Sequence, residues 1–119
     1  MQYMLLVYLD EQALDETERE QCYGESVQLT HDLHASGQFL AAAPLYPTST
    51  ATSVRMRDGK RLVTDGPFAE TREQLGGYTL IDAKDLDEAI SIAAGFLGTR
   101  SPSIIEIRPV VELKGIPTH

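Results

Sequence analysis

GYTLIDAKDLDEAISIAAGFLG, residues Gly77 to Gly98, changes its hydrophobic period in the middle, and that change sets the fold class. From Gly77 to Ala83 the residues alternate, Tyr78, Leu80 and Asp82 against Thr79, Ile81 and Ala83, which is the period of a strand with two distinct faces. At Asp85 the period lengthens. Asp85 followed by Glu88 has the spacing of a capping box, and Leu86, Ala89, Ile90, Ala93 and Leu97 share one face of a helix that ends before Gly98. A last strand is predicted over Ile104 to Leu113, where Ile105, Ile107 and Val111 are β-branched. Strand, helix, strand is one crossover unit.

The N-terminal half repeats the pattern. Gln2 to Leu9, rich in Leu, Val and Tyr, reads as a strand. Asp15 to Ser36 reads as a long helix with Asp15, Glu16 and Glu18 in its first turn, where the dipole favours anions, and Gly37 as its stop. Cys22, Ser26, Leu29 and Leu33, beside Tyr23, Val27, Thr30 and His34, form the face expected to pack on a sheet. Gln38 to Leu45 is a second strand, expected to stop near Ala43 because Pro44 and Pro47 cannot donate to a ladder. Between the two units, Thr52 to Arg57 and Arg61 to Thr64 flank Asp58-Gly59, the short-range signal of a β-hairpin. The order is β, α, β, hairpin, β, α, β. It predicts a ferredoxin-like α+β fold enlarged by the hairpin, with helices on one sheet face only. The other face needs cover, so a homodimer with sheet facing sheet is expected.

With 119 residues the chain is one domain. No basic residue precedes the apolar run Met4 to Leu9, no segment is long enough to span a bilayer, and Cys22 has no partner for an internal disulfide; a cytoplasmic protein without membrane contact is expected. Residues 1–37 hold eight acidic groups against one basic, Arg19, for −7 of the total −8. A surface of that sign repels phosphate backbones and argues against nucleic acid. No phosphate-cradling glycine loop, nucleophile elbow or paired-cysteine motif is present, so no cofactor is expected. His31 and His34 are one helical turn apart but have no third ligand in reach, so no metal is expected either.

The densest run of turn formers and charges is TDGPFAETREQLGGY, Thr64 to Tyr78. As a corner it needs only Asp65 to cap, Gly66 to turn, Pro67 to fix φ, Phe68 to anchor in the core, a helical turn over Glu70 to Leu75, and Gly76-Gly77 to leave it. As a site it offers Asp65 as acid or base, Arg72 and Tyr78 to orient a small ligand, Glu70 and Phe68 beside them, and Gly66, Pro67 and Gly77 to let it approach.

VTDGPFAETREQLGGY (Val63 to Tyr78), LDEAI (Leu86 to Ile90), IEIRPV (Ile105 to Val110), YMLLVY (Tyr3 to Tyr8) and ATSVRMRDGK (Ala51 to Lys60) resemble the DGPF-domain branch of the YCII-related family, over nearly the whole chain. The resemblance implies a dimeric ferredoxin-like α+β barrel. Some family members are encoded beside sigma-factor genes, which implies an accessory or regulatory module as the alternative to a metabolite-binding protein. Relatives thought to be enzymes use a His on the first helix and an Asp shortly before the last strand. The His position falls on Ser26 here, and Gly98 to Ser103 contains no acidic residue, so the pair is missing.

Overall fold

A computed structural model describes residues 1–97 and 103–117. It contains β1 (Gln2–Leu9), α1 (Glu16–Ala35), β2 (Phe39–Pro44), β3 (Thr52–Arg57), β4 (Lys60–Asp65), β5 (Gln74–Asp82), α2 (Leu86–Leu97) and β6 (Ser103–Pro109). Four strands form one antiparallel sheet in the order β2-β5-β1-β6, and β3 pairs with β4 in a separate two-stranded ladder. β5 lies between β1 and β2, and β1 between β5 and β6, so each helix crosses over one intervening strand. This is an α+β protein, consistent with a ferredoxin-like fold.

Local chemistry places the helix ends. The Glu18 backbone N–H donates to Asp15 Oδ1 at 2.7 Å and the Asp15 N–H to Glu18 Oε1 at 3.3 Å, a reciprocal cap that starts α1. Gly37, at φ +78°, ends it, with the Gln38 N–H donating to the Leu33 carbonyl at 2.9 Å. Asp85 Oδ1 accepts from the Glu88 N–H at 2.9 Å at the head of α2. In the β3–β4 turn Asp58 and Gly59 have φ +52° and +75°, the paired positive values of a type I′ hairpin.

Both helices lie on one sheet face, where Tyr3, Leu5, Ile81 and Ala83 meet Leu33 of α1 and Ala89 and Ala93 of α2. The stripe on α2 is rotated from the one expected. Leu86 and Ile90 are half-exposed, and Ile92 and Phe96 pack with Ala89 and Ala93 instead. The chain offers isoleucines on two flanks, and the small Ala89 and Ala93 decide which flank approaches the sheet. On α1 only Leu33 is buried; Cys22, Tyr23, Leu29 and Thr30 are half-buried, while Ser26, Val27 and His34 are exposed. β6 ends at Pro109, leaving Val111, expected in the strand, 75% exposed beyond it.

The expected helical turn over Glu70 to Leu75 is absent. β5 begins at Gln74, because Gln74 and Leu75 pair with Leu9 and Tyr8 of β1. Gly76 and Gly77 therefore sit inside a strand, at a register shift between Val7 and Tyr8 that leaves Gly76 as the extra residue. The Gly76 carbonyl accepts from the Leu45 N–H at 2.9 Å. A Cβ on Gly77 would lie 3.0 Å from the Ala43 carbonyl oxygen and 3.2 Å from Pro44 Cα, both backbone atoms of β2. Gly77→Ala is expected to cost about 1–3 kcal/mol by prying β2 from β5, read as a lower urea midpoint.

The molecule is flat, 46 × 42 × 22 Å, with a Cα radius of gyration of 16.0 Å. A compact chain of this length would have about 13.5 Å. Its accessible surface is 8709 Å², against about 6,400 Å² for a compact monomer of the same mass. No helix among the described residues covers the sheet face that carries Met4, Leu6 and Tyr8 of β1 by alternation. None is long and apolar enough to cross a membrane.

Candidate functional site

Two clefts divide the residues singled out in the sequence. The first, about 590 Å³, lies against the loop that joins β4 to β5 and is lined by Asp10, Arg19, Gly66, Pro67, Glu70 and Arg72 among others. Gly66, at φ +97°, turns the chain here; its N–H donates to the Ala51 carbonyl at 2.7 Å and its carbonyl accepts from Ser53 Oγ at 2.7 Å. Most polar groups around it are already used. Arg72 Nε meets Asp10 Oδ2 at 3.5 Å, Glu11 accepts from the Thr48 N–H and Oγ1 at 2.9 and 2.7 Å, and Gln74 Nε2 donates to the Thr71 carbonyl at 2.8 Å. The Gln74 bond ties the loop to itself, the Arg72–Asp10 pair ties it to the residue after β1, and the Glu11 bonds tie that segment to the one before β3. Phe68 does not anchor it in the core. Its ring is 83% exposed, because Gly66 and the half-buried Pro67 make the turn and the next side chain faces outward.

Asp65 is exposed at the last position of β4, opposite Thr52, and lines neither cleft. It makes no side-chain hydrogen bond among the described residues, so it neither caps Pro67 to Glu70 nor faces inward.

The second cleft, about 270 Å³, opens between α1 and the sheet. α1 touches the sheet through Leu33 near its C-terminal end and stands away from it around Ser26 and Val27. Tyr23, Ser26, Val27 and Thr30 line the helix side; Val7, Leu9, Phe39, Ala42, Gly77 and Thr79 line the sheet side, with Phe96 of α2. Among the described residues no Asp, Glu, Lys, Arg or His lines it. The missing side chain at Gly77 keeps the sheet wall open. Among the described residues Thr79 is the one polar residue in the buried set, 4% exposed, and it lines this cleft. Thr30 Oγ1 is already used, donating to the Val27 carbonyl at 2.7 Å.

Of the residues expected in a site, Gly66, Pro67, Glu70 and Arg72 share the polar cleft, Ser26 and Tyr78 line the apolar one, and Asp65 and Phe68 belong to neither. By strand alternation the Tyr78 ring points to the face opposite Thr79, so Tyr78 contributes its backbone to the cleft. Sequence reasoning passed over Thr79. Its signal was a hydroxyl in phase with Ile81 and Ala83, on the alternation that becomes the core face. His31 and His34 are exposed, His34 lying 6.4 Å from the Phe39 ring at 58°, and no group of three His, Cys, Asp or Glu among the described residues could hold a metal. The stretch expected to lack the second half of a His–Asp pair, Gly98 to Ser103, lies outside the described residues up to position 102.

An antiparallel four-stranded sheet with both helices on one face and a cleft beneath the first of them defines the class. Within that class the chain belongs to the YCII-related family, whose domain model matches residues 1–114. It is also 37% identical, over 123 aligned residues, to an uncharacterized protein of Rhizobium meliloti (strain 1021), with 96% of this chain and 95% of that protein covered.

Proposed function

We propose that this protein, of the DGPF-domain branch of its family, is a homodimeric binder of a small, uncharged, largely apolar metabolite. The ligand occupies the cleft beneath α1 and gives one hydrogen-bonding group to Thr79. The observation that carries the reading is Thr79, a polar residue only 4% exposed, on the sheet wall of an otherwise apolar cleft. Ligand sites are mostly apolar with a few placed polar groups, and this lining has that composition. Among the described residues the lining has no carboxylate, amine, guanidinium or imidazole, which favours an uncharged ligand, since burying a charge without a partner is prohibitive. The same absence removes the usual general acids and bases, so binding is favoured over acid–base catalysis, and Asp65 takes no part in it.

The dimer is supported by shape. Accessible surface exceeds that of a compact chain by about 2,300 Å², within the range that obligate dimers bury. Two sheets meeting through Met4, Leu6 and Tyr8 would close the dimeric α+β barrel, with α1 and its cleft on the outside of each copy.

Titrating the ¹⁵N-labelled protein with p-cresol, a ring with one hydroxyl, tests the reading. Saturable amide shifts are expected at Gly77, Thr79 and Ser26. Ser26→Trp, which fills the mouth of the cleft, is expected to weaken binding at least tenfold, and Asp65→Asn to change it less than twofold. Shifts confined to residues 66–74, or sensitivity to Asp65→Asn, would move the site to the polar cleft.

A further inference from the structure

Among the described residues nothing covers the β3–β4 hairpin. Every residue from Val54 to Asp65 is exposed, and the hairpin packs almost wholly on itself. Two-stranded hairpins are marginally stable alone in water, so one held this far from a core needs a surface to lie on. Its two faces differ. Val54 pairs with Val63 and Met56 with Arg61, so Val54, Met56 and Val63 share a face on which they are 63%, 67% and 58% exposed. Arg55, Arg57 and Lys60 share the other face with Leu62.

The sign of the charge identifies what covers it. Residues 52–65 hold four basic groups against two acidic ones in a chain whose net charge is −8. Residues 1–37, which include the exposed Glu16 and Glu20 of α1, hold −7 of that charge. Two such copies repel each other at long range, and a basic arm reaching an acidic helix offsets the repulsion where they touch. The surplus of accessible surface is large enough to include both a sheet-to-sheet contact and the hairpin.

We infer that the β3–β4 hairpin is an arm that inserts between elements of a second copy of this chain, burying Val54, Met56 and Val63 on one side and setting Arg55, Arg57 and Lys60 against its acidic α1 on the other. This rests on the homodimer proposed above and adds a contact that the sheet faces do not supply. Dimerisation is then salt-sensitive, and arm substitutions weaken it without disturbing the four-stranded sheet.

Sedimentation equilibrium on three proteins tests the arm: the unaltered chain, Val54→Glu/Met56→Glu and Arg55→Glu/Arg57→Glu. Far-UV circular dichroism checks that each is folded. A dimer whose Kd rises at least tenfold in both variants, with the effect of Arg55→Glu/Arg57→Glu shrinking from 50 to 500 mM NaCl, is the expected result. A dimer with unchanged Kd in both variants overturns the arm and leaves the sheet-to-sheet dimer standing. A monomer in the unaltered chain overturns both. If a variant does not fold, hydrogen exchange on the unaltered dimer decides. Protection of the Val54 and Val63 amides that disappears on dilution to monomer supports the arm, and protection independent of concentration overturns it.

Discussion

Leu5→Ala is expected to lower stability by about 3–4 kcal/mol, read as a urea midpoint shifted by about 2 M at fixed protein concentration. Leu5 is 0% exposed in the middle of β1, between β5 and β6, with Thr79 and Ile107 as its cross-strand neighbours. Removing it leaves a hole whose walls are held by two ladders, so little collapse can fill it. Cost in such sites grows with the volume left behind. Domains of this size hold about 5–15 kcal/mol in all. The substitution therefore consumes a large share of the total, and a loss below 1 kcal/mol would mean that the core lies elsewhere.

Its neighbour in the chain should behave differently. Leu6 faces the other side of the same strand, half-buried, paired with Tyr78 and Glu106. Leu6→Glu is expected to leave the far-UV circular dichroism of the sheet unchanged while weakening the proposed dimer at least about 100-fold. The estimate follows from placing an unpaired carboxylate in the proposed sheet-to-sheet seam, about 3–5 kcal/mol, with each 1.4 kcal/mol a factor of ten. Sedimentation at micromolar concentration gives the answer. A dimer of unchanged strength would place the interface off this face.

The paired outcome is visible in the sequence only in part. Alternation along Gln2 to Leu9 and Gly77 to Ala83 fixes that each strand has two faces, and the two capped helices between strands fix the sheet order. Which alternation phase meets the helices was not legible, because Met4, Leu6 and Tyr8 are as apolar as Tyr3, Leu5 and Val7. The same ambiguity hid the site. Thr79 carries weight only once its phase is known to be the core face, and the cleft above it exists because α1 stands off the sheet at Ser26, a tertiary fact with no local signal. The loop at Thr64 to Tyr78 misled for a related reason. By local turn chemistry its glycines suit exits from a helical turn, whereas pairing with β1 draws Gln74 and Leu75 into a strand and uses Gly76 and Gly77 for a bulge and a close approach to β2. Long-range ladder bonds outweighed local turn chemistry. Gly66 was legible, since a left-handed φ at the end of a hairpin strand leaves little choice of residue.

The proposal that the cleft beneath α1 holds a ligand is tested most directly by a crystal structure of the protein soaked in p-cresol. The expected result is ring density between Ser26 and the sheet, with its hydroxyl within hydrogen-bond distance of Thr79 Oγ1. Density for the probe only among Asp10, Arg19 and Arg72, or a cleft closed by α1 settling onto Gly77 and Thr79, would contradict the account.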